Sequence, residues 1–185
     1  MELQEAIGHA IDGNAILFVG AGFACGAPAI NETTVPTGKE FVQRLMDACG
    51  KKGAAPELDV AARFFERQMG RDALVRLVRE TFTVASCPAA QALVSDIRWK
   101  RIYTTNFDDL LEVAFHSKKK PLTSVTLGNL PQEFAPQSDV CIHLNGFARG
   151  LTADKLDAEL KLTTTSYLSE TVAESPGCGS FATTP

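Results

Sequence analysis

None of the five cysteines in this 185-residue chain, at 25, 49, 87, 141 and 178, stands in a C-x-x-C pair. An odd number without such pairs argues against a disulfide framework and against a structural zinc site. Long apolar runs are missing as well. Nothing approaches the ~20 consecutive apolar residues of a membrane span. The opening stretch, Met1-Glu2-Leu3-Gln4-Glu5, is acidic where a secretory signal would be basic and then apolar. The expected address is therefore the cytoplasm. There is also no basic stripe: the net charge is -4 and the pI about 5.4, which gives no direct nucleic-acid signal. The one basic run, Lys118-Lys119-Lys120, follows a predicted helix and suits its negative end and solvent better than a phosphate backbone. No internal repeat and no low-complexity tract is found.

What is present reads as one soluble globular domain, with 45% hydrophobic and 22% charged residues. Residues 1–12 have the pattern of a short amphipathic helix. Ala15-Ile16-Leu17-Phe18-Val19 is apolar on both faces, which predicts a strand inside a parallel sheet covered by helices. A long loop rich in Gly, Pro, Asn and Thr runs from Gly20 to Gly38, and long ordered loops after a strand are usually functional. Helical spacing then recurs at 39–49 and near 57–68, 71–82 and 88–96, an insert expected to need no core of its own. A short strand at Ile102–Thr104 precedes a helix from Phe107 to Phe115. Strands are predicted again near Leu122–Val125 and over Asp139–Leu144, with a loop between Gly128 and Ser138. Strands alternating with helices predict an α/β class: a Rossmann-like, mainly parallel sheet flanked by helices. Residues 166–174 could form a further helix, and 176–185 form an unpatterned tail. The domain over 1–175 is expected to be incomplete, a truncated piece of a longer protein.

Three motifs carry chemistry. Gly20-Ala21-Gly22-Phe23 directly follows the first strand, where glycines let the backbone approach a pyrophosphate. As a dinucleotide fingerprint it fails, because G-x-G-x-x-G would want glycine where Cys25 stands. A tight strand-to-loop turn is the plain alternative. Thr104-Thr105-Asn106-Phe107-Asp108-Asp109 marks a strand-to-helix boundary. There Asn106 suits an N-cap and the aspartates suit the first helical turn. Strand C-termini in open α/β sheets also bind ligands, and the two readings are compatible. His143-Leu144-Asn145-Gly146 ends a buried strand. His143 is either a hydrogen-bonded core residue or a base placed where it meets substrate, since imidazole titrates near neutrality. His9 and His116 lie on helices and carry no such suggestion.

In this order the three motifs resemble the Sir2 superfamily. They are closer still to the zinc-free Sir2-like domains at the N-termini of prokaryotic anti-phage defence proteins. The resemblance runs over about 20–146 and reaches weakly to Thr165-Ser166-Tyr167. It implies that Gly20, Ala21, Gly22 and Phe23 hold the pyrophosphate of NAD, and that Thr105, Asn106 and Asp108 surround the nicotinamide ribose. It implies Asn106 and His143 as the catalytic pair, with His143 the general base. Two departures bear on activity. The paired zinc cysteines of sirtuin deacetylases are lacking, and Pro28-Ala29-Ile30 does not match the family's proline–phenylalanine–arginine segment. The family's later glycine–serine loop would lie beyond Pro185. The implied activity is therefore NAD hydrolysis, with NAD as substrate and no metal. An NAD-dependent protein deacylase and a non-catalytic NAD or ADP-ribose sensor are the alternatives. A C-terminal sensor region or partner protein and a homo-oligomeric parent protein are expected, with no membrane association.

Overall fold

The computed structural model describes residues 2–53, 56–127, 139–160 and 162. Four strands, β1 (Ile16–Val19), β2 (Arg101–Thr104), β3 (Thr123–Thr126) and β4 (Val140–His143), form one sheet in the order β1-β2-β4-β3. Every pair is parallel. The predicted Rossmann-like α/β class is thus observed. The register aligns Val19 with Thr104 and Thr104 with His143, so the three motif-bearing strands end on one line. Parallel strands share a carboxyl edge, and the residues that follow them gather there.

The helices are α1 (Leu3–Ile11), α2 (Gly38–Ala48), α3 (Leu58–Met69), α4 (Arg71–Phe82), α5 (Ala89–Ala92), α6 (Leu110–Ser117) and α7 (Leu156–Glu159). A 3-10 turn, Leu93–Asp96, follows α5. None is long and apolar enough to cross a membrane among the described residues. The predicted 128–138 loop and 166–174 helix lie outside the described residues.

Helix α2 starts where the long loop ends because Thr37 and Glu40 form a reciprocal capping box. The loop itself is ordered by short antiparallel bridges, Pro28 to Thr34 and Ala29 to Val84. Contrary to expectation, the helical insert has its own core. Phe41, Leu45, Phe65, Leu74 and Val78 are buried together, in a cluster distinct from the one where Val19 and Ile102 of the sheet meet Leu111 and Phe115. Helices α2, α3 and α4 each carry an apolar stripe, more than one sheet face can cover, so they bury those stripes against one another.

Two further expectations are corrected. Strand β1 lies at an edge of the described sheet, and Ile16 and Phe18 are 46% and 60% exposed. Helix α6 begins at Leu110, not Phe107. A helix from Phe107 would use that residue's carbonyl for the amide of residue 111. Instead the carbonyl accepts from the Ala148 amide at 2.8 Å. Asp108 accepts from the Leu110 amide at 3.1 Å.

Buried Asp109 ties the sheet to the insert. It accepts from the Val84 amide at 2.7 Å and from Arg149 at 2.9 Å. Asp109→Ala leaves the Val84 amide without its acceptor, at a cost of about 1–3 kcal/mol. Urea unfolding of both proteins measures that difference directly. Arg149 is mostly exposed and adds little.

Candidate active site

A cavity of about 610 Å³ opens at the carboxyl edge of the sheet. Its walls come from the loop after β1 (Ala21, Val35, Pro36), the turn after β2 (Thr105, Asn106, Phe107, Asp108) and Asn145 after β4. The insert adds Phe41, Glu57, Asp59 and Phe82. Three separately read motifs therefore contribute to one concavity, as ligand sites in open α/β sheets do.

The turn after β2 is held from several directions. Asn106 donates its amide to the Thr104 hydroxyl at 3.0 Å, and Asn145 donates its side-chain amide to the Thr105 carbonyl at 2.9 Å. The Leu144 amide bonds the Thr104 carbonyl at 2.8 Å, extending the β2–β4 ladder by one residue. Asn106 is not the helix cap that its sequence position suggested, since α6 starts four residues later. Its side-chain oxygen is buried with no partner among the described residues. An unsatisfied buried acceptor costs about 1–3 kcal/mol, and this one belongs to a residue lining the cavity.

Asp108 is 6% exposed. Burial pushes its carboxyl up to about 6, only partly offset by the Leu110 amide and the His143 charge. Near neutrality the group is poised between acid and base.

His143 is fully buried and does not line the cavity; it lies behind Asn106. Its Nδ1 is 3.1 Å from the Asn106 carbonyl oxygen, and its Nε2 is 2.8 Å from Glu112 Oε1. The Phe147 ring packs on it at 4.5 Å between centroids. Burial pulls the imidazole pKa down, but the Glu112 hydrogen bond and charge outweigh it and hold the pKa above its ordinary value. Burial likewise raises the Glu112 carboxyl, and the hydrogen bond and charge of His143 reverse that, leaving it lowered. Each group thus favours the charged form of the other.

Gly20 and Gly22 flank the remaining predicted phosphate site. Neither has a positive φ, so the turn does not require glycine for its dihedrals. Around Gly22 no atom comes within 4 Å of an added Cβ, and at Gly20 the nearest is Thr105 Oγ1 at 3.7 Å. The glycines leave open space above the backbone. Phe23 closes the turn with its amide on the Gly20 carbonyl and packs partly buried against both cores. Ala21 is the member of this motif that reaches the cavity wall.

Glu112 had no place in the sequence reading. The available signal was an acid one turn after Asp108, among Leu110, Leu111, Ala114 and Phe115, on a helix otherwise buried on that side. Glu112, Cys141 and His143 bring an oxygen, a sulfur and a ring nitrogen within 4.8 Å of one another, a set whose spacing could hold a metal ion. The chemistry fits poorly. Glu112 Oε1 already accepts from His143 and from Ser124, the latter at 2.7 Å. Burial raises the Cys141 thiol well above its ordinary pKa and keeps it protonated.

The fold and cavity define a Rossmann-like α/β domain with a ligand site at the carboxyl edge of its sheet. Within it, residues 100–176 match the family model of the SIR2-like domain. The family resemblance drawn from the motifs is thereby shown for that segment, which contains Thr105, Asn106, Asp108, Glu112 and His143. SIR2-like domains bind and use NAD, so the chain's function is NAD-related in general terms. The glycine loop and the insert precede the matched segment. No curated protein matches the chain.

Proposed function

We propose that this domain hydrolyses NAD at the nicotinamide–ribose bond, giving nicotinamide and ADP-ribose. The observation that carries the reading is the buried, unpartnered Asn106 oxygen at a cavity flanked by Asp108 and backed by His143. In the reaction the C1′–N1 bond breaks, nicotinamide leaves neutral, and a bond forms from water oxygen to C1′. Asn106 orients the ribose hydroxyls or the attacking water, and Asp108 anchors the carboxamide. His143 takes the proton that water or a ribose hydroxyl gives up, then releases it to solvent. The loop from Gly20 to Phe23 holds the pyrophosphate. We further propose that the domain is the effector arm of a cytoplasmic, homo-oligomeric anti-phage defence protein, controlled by a C-terminal sensor or a partner.

The test is incubation of the protein with NAD alone, with nicotinamide and ADP-ribose separated chromatographically. Equal release of the two products without any acylated peptide is expected. Turnover that requires an acylated peptide would point to deacylation instead. A second reading, a sensor that binds without cleaving, is favoured by one feature: both ring nitrogens of His143 are already engaged. Saturable NAD binding with no product would support it and sink hydrolysis.

A further inference from the structure

Histidine 143 is held between two acceptors. A main-chain carbonyl faces Nδ1 at 3.1 Å and a carboxylate faces Nε2 at 2.8 Å. The hydrogen bond and charge of His143 hold the Glu112 carboxyl below its ordinary pKa, so it is ionised at neutral pH and, like the carbonyl, can only accept; both contacts are then satisfied together when the ring carries both protons. Glu112 is itself oriented: Oε1 accepts from Ser124 on β3 as well as from His143, while Oε2 is buried with no partner among the described residues. Three elements thus converge on one carboxylate. If the pair served stability alone, little would recommend it, because a buried ion pair is often no better than an apolar replacement.

We propose that Glu112 is a positioning residue acting through His143. By holding Nε2–H it keeps the resting ring an imidazolium and leaves Nδ1, opposite the Asn106 carbonyl, as the nitrogen that exchanges a proton during turnover. The ring first loses its Nδ1 proton to solvent, and Nδ1 then accepts one from water or a ribose hydroxyl. Because Nδ1 rests on the main chain of Asn106, the two motif residues are mechanically coupled: the Asn106 peptide must turn for Nδ1 to meet substrate. A carboxylate that fixes one imidazole nitrogen so that the other works is a known division of labour in catalysis. The proton-exchange role rests on the NAD-hydrolysis reading; the protonation state does not.

The titratable groups facing the ring are Glu112 on α6, Asp108 on the turn before it and Cys141 on β4. At the helix start, the Glu112 charge in turn helps to raise the Asp109 carboxyl. Cys141 stays a neutral thiol, and Asp108 adds negative charge above about pH 6. Both leave Glu112 as the dominant partner.

The experiment is nitrogen-15 NMR of the imidazoles in the full 185-residue chain, with His9→Gln and His116→Gln assigning the His143 signals. Both His143 nitrogens are expected to stay protonated at pH 7, with a midpoint above the free-imidazole range. Glu112→Gln should lower that midpoint. In a parallel NAD assay the alkaline-rising limb should move to lower pH in Glu112→Gln, with its plateau reduced at least about tenfold. A single-protonated His143 at pH 7 in wild type overturns the proposal, even should Glu112→Gln fail to fold. So does an unchanged midpoint in a folded Glu112→Gln. The expected titration without NAD turnover would sink hydrolysis and leave the imidazolium assignment standing.

Discussion

His143→Ala lowers NAD turnover by about 10²–10⁴-fold if His143 is the general base, the usual worth of such a group. The size of that loss must be separated from misfolding. Removing the ring strips Glu112 of its hydrogen-bond partner and opens a hole behind Asn106. Breaking a buried pair in this way costs about 3–5 kcal/mol. His143→Gln keeps an amide donor toward Glu112 without a titrating nitrogen, and should hold the fold better while remaining inactive. Asn106→Ala is the cleaner companion. Its side-chain oxygen has no protein partner among the described residues, so truncation removes no bond from that atom, yet activity should fall. Thermal melts and product assays on the same samples decide the matter. Equal turnover by wild type, Asn106→Ala and His143→Ala would remove both residues from the mechanism.

The second large effect is in stability, and it has the opposite sign. The Asp108 carboxyl is raised by burial from 3.8 to about 6. Its folded pKa lies above its unfolded one, so the native state binds the extra proton between those values. Its contribution is fully present below about pH 3.8 and is lost as pH rises through about 6. Above that the ionised, desolvated carboxylate weighs against folding. The interval corresponds to about 3 kcal/mol. Asp108→Asn keeps an oxygen for the Leu110 amide and removes the charge. It should therefore be more stable than wild type at pH 7–8, by up to about 3 kcal/mol, with little difference near pH 4. Urea midpoints across this range test it. The same variant should bind NAD more weakly, because Asp108 lines the cavity. A variant no more stable at pH 8 than at pH 4, each relative to wild type, would contradict the burial argument.

Much of this was legible in the chain itself. Strand β4 reads from Val140-Cys141-Ile142-His143, and β2 from Ile102-Tyr103-Thr104, because short apolar runs stopped by polar or glycine residues have few other solutions. Helices α2 to α4 follow from apolar spacing with strong amphipathicity. The three motifs were visible as residues at strand ends. Their meeting in one cavity was not, since it depends on strand order and register.

The misreadings share a cause. Asn106 looked like an N-cap because cap preference is local, but the Phe107 carbonyl was claimed by Ala148, forty-one residues on. Phe18 looked buried because a run apolar on both faces usually is, but β1 lies at the sheet edge. Glu112 was passed over because an acid on an amphipathic helix normally faces water. Its partner, His143, stands 31 positions away on another element.

Sequence by itself determined the element types, the parallel class and the family-bearing motifs around Asn106, Asp108 and His143, because those rest on periodicity and local residue preference. Tertiary structure alone decided that Asn106 is not a cap, that Asp108 is driven toward neutrality and that His143 is locked between a carbonyl and Glu112. Each of these follows from burial or from a hydrogen bond across many residues, and neither is encoded in any short window of the chain.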